Sequence, residues 1–507
     1  MVISKSVATR RDLIKLIGAS ASINILPHFP YGAQPGHETK EAGSSGLFYK
    51  TAIASTMWDT WLYYEKGVFY LYYLTGSMSK WSGVGMATSH DGVHWKEIGQ
   101  VVSAAADAVW LGSGSVWAVD NHSAEGKKYI INFSEWRGSE SEGRQTIFFA
   151  ESQDLFHWKR LSRKYEFRQD ASWYEPNGRW DCIYALSRPG GGYYGYWTAT
   201  PKDQKAGLGF GESLDGVAWQ TLEPAAVSGF RYPPEAGAIH RWRTEFYAIV
   251  SGQDQDITFD KDAYIVRGLM TTVVGSSPSG PFHPASKNPS LLVGNASYFC
   301  RFFSTPYGVL VNHHTWEIDE GQLQRVSTGH VYMAPLKRAV WDEAGTLRLM
   351  WWEGNDRIKR HPLHIEATEA SEEKVPLFLN TLRSGKEVTL ILEGRMVLPD
   401  STTAPPVGLY LQGSGDAGTV FFVRGNGIVE CGLMCENGRQ LESRGNVDRE
   451  LTLQGLATFR LVRKGRLTEF YVNDVLMQCY CLPEQGTGRL GLIGSHENFK
   501  ELTAWYV

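Results

Sequence analysis

Three carboxylates stand where chemistry would need them. Asp59 sits between two tryptophans in "MWDTW", Asp181 follows Arg179 and Trp180 in "GRWDCIYAL", and Glu235 follows two prolines in "PPEAGAIH". Each lies at the start of a strand-forming run, where solvation is poor. Carboxylates converging in one dry pocket raise each other's pKa and are costly to bury, so a purely structural role is strained. The set suits glycoside hydrolysis, in which one carboxyl group protonates the leaving oxygen while another attacks the anomeric carbon or activates water. A third acid can stabilise the oxocarbenium-like charge or hold sugar hydroxyls.

The elements that must position these acids are strands. Short runs rich in Val, Ile, Tyr, Phe and Trp alternate with turn residues, and no long segment keeps a 3.6-residue period, so the chain reads as all-β. One phrase recurs at roughly sixty-residue spacing: "GVGMATSHDGVHWKEI", "TIFFAESQDLFHWKRL" and "GLGFGESLDGVAWQTL". In each, an apolar strand runs into Ser-x-Asp, a short turn, and a Trp that opens the next strand. Asp91, Asp154 and Asp215 are therefore read as turn caps, and the tryptophans as packing against the neighbouring sheet. Two further units follow, one beginning "GAIHRWRTEFYAIVSG" and one beginning "SYFCRFFSTPYGVLVNHHTW". The expected architecture is a five-bladed β-propeller over residues 50–362, followed by a C-terminal β-sandwich over 375–507. Asp59, Asp181 and Glu235 fall early in the first, third and fourth repeats, where the innermost strand of each blade lines the axis. The corresponding stretch of the second repeat, Gly112 to Ser115, is made of small residues.

Further pocket candidates come from the same placement. Trp58, Trp81, Trp117 and Trp180 could stack on a sugar face, and Arg179 could bind a hydroxyl and tune Asp181 by charge. Ser113 lies in the small-residue strand, and His313 with His314 in "NHHTW" could hydrogen-bond a substrate hydroxyl. Glu135 and Glu175 are weaker competitors.

Composition narrows the partners. The 507 residues carry a net charge of -4, which gives a nucleic-acid partner no electrostatic support, and 13% are aromatic, well suited to sugar stacking. At the N-terminus, "TRRDLIK" precedes a short apolar run, Leu16 to Leu26, and then "PHFPYGAQPG". This pattern matches a twin-arginine signal over residues 1–34 and predicts a periplasmic or extracellular protein with no membrane anchor. The six cysteines lack zinc spacing, so no metal is expected, and no cofactor; the last four could form a disulfide of unassigned connectivity.

With these residues in view, the chain resembles the five-bladed propeller glycosidases, most closely glycoside hydrolase family 32, the invertase, levanase and inulinase family. The resemblance implies that Asp59 is the nucleophile, Asp181 the transition-state stabiliser and Glu235 the acid/base of a retaining β-fructofuranosidase acting on an oligo- or polysaccharide. "GSGSVWAVD" resembles the family's second-blade Ser-Gly-Ser strand, and "YVNDVLMQ" and "LTAWYV" resemble its sandwich. The family's Trp-Met-Asn-Asp-Pro-Asn-Gly is here "TMWDTW", its Arg-Asp-Pro is "RWDC" and its Glu-Cys-Pro is "EAGA". These departures leave two rivals: an inverting hydrolase like the arabinan-degrading family 43, and a sugar-binding propeller without catalysis.

Overall fold

The alternation of strand-forming runs and turns produces a chain of antiparallel sheets. The computed structural model describes residues 46–507, apart from 53, 55, 78–79, 120–127, 139–143, 252–269, 287–288, 319–325, 366–375, 384–388, 402, 414–416, 436, 439, 450, 452, 454 and 483–488. The signal assigned to 1–34 lies outside the described residues.

Blade 1 is a four-stranded meander of Thr56–Glu65, Val68–Ser77, Lys80–Ser89 and Lys96–Ser103. In blade 2 the inner strand is broken into Ala108–Gly112 and Val116–Val119, both paired with Lys128–Arg137, and Arg144–Ser152 and Lys159–Arg160 follow outward. Blade 3 runs Trp180–Ser187, Tyr193–Ala199, Gly207–Ser213 and Gln220–Thr221; blade 4 runs Glu235–Trp242, Glu245–Ser251, Met270–Gly275 and His283–Pro284. Blade 5 begins with Ser297–Thr305 and Gly308–Ile318. Its third strand is split into Val326–Met333 and Lys337–Trp341, and Leu347–Trp351 closes it.

Polar side chains on second strands clasp the inner strand of the adjacent blade. Asn132 donates to Ile183 O at 2.9 Å and accepts from Ile183 N at 3.0 Å, joining blade 2 to blade 3. Thr198 Oγ1 accepts from Ala236 N at 2.9 Å, joining blades 3 and 4, and Asn312 donates to Thr60 O at 2.8 Å, closing blade 5 onto blade 1. Such buried donors and acceptors are satisfied only when the ring is assembled, so they favour its closed form. Tyr49 adds an N-terminal strap, exchanging backbone hydrogen bonds with Met333 of blade 5 at 3.1 and 2.8 Å.

The repeated Ser-x-Asp turns are built alike. Ser89, Ser152 and Ser213 each donate to their aspartate at 3.0 Å, and each aspartate accepts two backbone N–H groups at 2.8 to 3.0 Å. The following tryptophans pack across sheets, Trp158 on Tyr72 of blade 1 and Trp219 on Trp117 of blade 2. Partial burial would raise the Asp91 carboxyl, but the N–H groups of His94 and Val93, the His94 ring and Ser89 bring it down to about 2. Because its folded pKa is depressed, the stability Asp91 adds is complete above about pH 4, the unfolded value. That stability is lost as pH falls toward about 2. Asp91→Ala is expected to cost about 1 kcal/mol at pH 7 and less at pH 3, read from urea unfolding midpoints.

The C-terminal sandwich has two sheets around an apolar core that includes Leu392, Phe421, Phe459, Phe470 and Leu492. One sheet contains Thr389–Val397, Leu456–Lys464, Leu467–Val472, Val475–Cys481 and Phe499–Tyr506, and joins blade 5 through the Met350 and Val475 pair. The other contains Leu377–Arg383, Val407–Gln412, Ala417–Val423, Val429–Cys435, Gln440–Val447 and Arg489–Ile493. The "YVNDV" hairpin turns through Asn473 and Asp474 at φ 47° and 63°, the left-handed pair that a two-residue hairpin loop requires. All six cysteines are free thiols, so the structure contains none of the disulfides that the spacing allowed.

Candidate active site

The inner strands share one irregularity. Pairing slips between Trp58 and Trp61 in blade 1, Asp181 and Tyr184 in blade 3, Ala236 and Ala238 in blade 4, and Tyr298 and Arg301 in blade 5. A bulge of this kind places an extra residue on one strand and re-aims its side chain. The residues at the slip include Asp59, Cys182 and Phe299, at φ 44°, 46° and 62°. Left-handed backbone costs a non-glycine residue about 1 kcal/mol or more; outside turns, where most such residues of this chain lie, it is a feature that clusters at functional sites. In blade 4 the slip falls on Gly237, where a Cβ would lie 2.7 Å from Cys300 O.

Asp181 and Glu235 meet at one guanidinium. Arg179 Nη1 donates to Glu235 Oε1 at 2.7 Å, and Nη2 to Asp181 Oδ2 at 3.3 Å. Burial alone would weaken Arg179's hold on its proton; the Glu235 and Asp181 carboxylates more than offset this and lift it above the usual arginine range. Asp181 and Glu235 are 2% and 7% exposed, so both carboxylates are largely desolvated, while the Arg179 side chain is partly open to solvent. Ser134 donates to Asp181 Oδ1 at 2.6 Å from blade 2. Beside them the Cys182 thiol is pushed up to about 11 by burial and by Asp181, which keeps it neutral and unreactive.

Asp59 is 2% exposed at the corresponding slip of blade 1, whose inner strand packs on those of blades 5 and 2. Its neighbour Trp58 heads an aromatic group: His314 at 4.3 Å, Trp316 at 5.2 Å and Trp81 at 6.4 Å in a stacked arrangement. Trp58 and Trp81 thus lie together at the blade 5 to blade 1 seam.

Other expected site residues go elsewhere. Trp180 is fully buried among Phe167, Tyr174 and Trp197 and donates to Phe167 O at 3.0 Å, so it is blade 3 core and offers no face to a sugar. Trp117 packs between blades 2 and 3 and donates to Gly216 O at 3.2 Å. His313 points away from the axis into the seam with the sandwich, where its Nε2 meets Lys337 Nζ at 2.8 Å and Glu469 at 3.5 Å. Strand alternation explains the split: adjacent residues face opposite sides, so His314 takes the Trp58 side and His313 the other. Ser113 is buried where the blade 2 inner strand breaks, next to Gly112. Glu135 is fully buried against Arg137 and Arg160, and Glu175 lies in the turn before Arg179. The residues that sequence reasoning passed over are Ser134 and Gln145. The trace of Ser134 is polarity at alternating positions, Asn132 and Ser134, in the buried middle of its strand.

The same arrangement of blades and sandwich recurs in solved structures. The GH32 β-fructofuranosidase of Bombyx mori superposes with a TM-score of 0.68 at 13% identity, over 91% of this chain and 93% of that one. The chain has the fold of the GH32 β-fructofuranosidases. The sucrose-6-phosphate hydrolase of Lactobacillus gasseri shares this GH32-like fold at a TM-score of 0.66 and 14% identity, over 89% of this chain and 90% of that one. The exo-inulinase of Aspergillus awamori does so at 0.65 and 12%, over 91% and 97%. No protein-family model and no curated protein matches the chain by sequence. The GH32-like fold is therefore shared at a sequence identity of 12–14%.

Proposed function

We propose that this protein is an exported glycoside hydrolase that cleaves furanosidic linkages by a retaining mechanism. The observation that carries the reading is the pair of buried carboxylates, Asp181 and Glu235, joined by the part-exposed Arg179 on a GH32-like fold, with Asp59 at the matching slip of blade 1. In this reading the Asp59 carboxylate attacks the anomeric carbon as Glu235 gives its proton to the departing oxygen. Glu235 then takes a proton from water, which displaces Asp59 and releases the sugar with its configuration kept. Asp181 and Arg179 bind the furanose hydroxyls and balance the charge that develops at the ring. Trp58 and Trp81 provide an apolar wall for the ring face. Supporting export is the twin-arginine pattern at Arg10 and Arg11.

The test is a product screen of the purified protein against fructans, arabinans and furanosyl disaccharides, with the anomeric configuration of the first product followed by NMR. Release of fructose with retention is the expected result. Inversion on an arabinan transfers the reading to the inverting class, and binding without turnover removes the hydrolase.

A further inference from the structure

Asp181 is held from behind by a hydrogen-bond chain whose direction can be read from its ends. The backbone N–H of Trp180 donates to Gln145 Oε1 at 3.1 Å. An N–H can only donate, so this contact decides which end of the amide is oxygen. The other end, Nε2, donates to Ser134 Oγ at 2.9 Å. Ser134 therefore receives one proton and has one to give, and it gives it to Asp181 Oδ1 at 2.6 Å. Ser134 and Gln145 are both fully buried, in a low-dielectric setting that strengthens these bonds.

Two further features close the arrangement. Arg179 engages the other carboxylate oxygen, Oδ2, at 3.3 Å, so the two oxygens of Asp181 have separate partners on separate blades. Across from them lies Gly112, where a Cβ would stand 2.3 Å from Ser134 Oγ and 2.7 Å from Asp181 Oδ1. Only glycine leaves room for the Ser134 to Asp181 bond to form.

We propose that Ser134 and Gln145 are positioning residues for Asp181, a one-way relay from blade 2 that fixes the Asp181 rotamer with Oδ1 turned away from the substrate and Oδ2 presented with Arg179. The relay supplies what a side chain at a bulge lacks, a rigid second point of attachment. Its catalytic consequence rests on the proposed glycosidase reading; its geometry does not.

Ser134→Thr and Ser134→Val test it as a pair, since they match in shape and differ in the hydroxyl. Ser134→Ala serves if the branched pair does not fit beside Gly112. Crystal structures are expected to show the Asp181 carboxylate in its original place in the threonine variant and rotated in the valine or alanine variant. On the furanoside that the product screen identifies, kcat should fall about 10²-fold in the variant without the hydroxyl, with a smaller change in KM, and recover in the threonine variant. An unmoved carboxylate in the absence of the hydroxyl overturns the relay, as does an equal kcat in the threonine and valine variants of a parent protein that turns over. A carboxylate that rotates in a protein with no turnover on any furanoside upholds the relay and removes the hydrolase reading instead.

Discussion

Glu235→Gln and Asp59→Asn are each expected to lower kcat about 10³-fold or more while leaving the fold intact. Each exchange keeps the side-chain volume and removes one chemical capacity: the amide at 235 has no acidic proton to transfer, and the amide at 59 cannot form the glycosyl ester. The two losses differ in a way that separates the roles. An aryl furanoside with a good leaving group needs little protonation, so Glu235→Gln should form the glycosyl-enzyme from it at close to the normal rate, whereas Asp59→Asn should fail on every substrate. In the proposed mechanism both residues serve one reaction, so the double variant should be little worse than Asp59→Asn alone. Folding is expected to survive at 235 because Arg179 keeps Asp181 as its counter-ion. Circular dichroism and thermal unfolding check that, and burst kinetics on the aryl substrate check the roles. If both variants turn over at the normal rate, neither residue is catalytic.

The second large effect lies at the seam between propeller and sandwich. Lys337 of blade 5 donates to Glu469 of the sandwich at 2.6 Å, Tyr471 donates to the same carboxylate at 2.5 Å, and His313 meets Lys337 at 2.8 Å. Lys337 is fully buried and Glu469 nearly so. Lys337→Met leaves Glu469 without its cation in a dry seam, and is expected to cost about 3–5 kcal/mol at pH 7 in denaturant unfolding. The pH dependence follows from two depressed pKa values. Burial, with Lys337 adding to it, holds His313 below the usual imidazole range. Its contribution is therefore complete above about pH 6.5 and declines as the pH falls below that. Burial would raise Glu469, but Lys337 and His313 pull it below the usual carboxylate range, so its contribution is complete above about pH 4 and is lost in stronger acid. In Lys337→Met the unpaired Glu469 can take up a proton, so the deficit relative to the parent protein should shrink between pH 7 and pH 4. A deficit constant over that range would mean that packing, and not the charge, is what Lys337 supplies.

This seam also shows why His313 was open to misreading. "NHHTW" places two histidines early in a blade, and a strand pattern says only that they face opposite ways. Which of them faces the axis depends on the blade 1 residue Trp58 and the sandwich residue Glu469, far away in the chain. The same applies to Trp117 and Trp180. Trp180 adjoins Asp181 and Trp117 follows the small-residue stretch of blade 2, and both places resemble pocket positions, yet packing against Trp219, Trp197 and Phe167 draws them between sheets.

What the sequence determined by itself is whatever local chemistry enforces. The two-residue alternation with frequent turn residues specifies strands, the Ser-x-Asp turns mark three blades because each turn closes on its own side chains, and Asp59, Asp181 and Glu235 are visible as acids where strand starts are otherwise apolar. What only the tertiary structure decided is every relation carried across blades: Arg179 reaching Glu235 over 56 positions, Ser134 reaching Asp181 over 47, and Gly112 clearing the space between them. A blade's local pattern shows which residues alternate but not which neighbouring sheet each will face. That choice is made when the ring closes and buried polar groups must find partners on another blade.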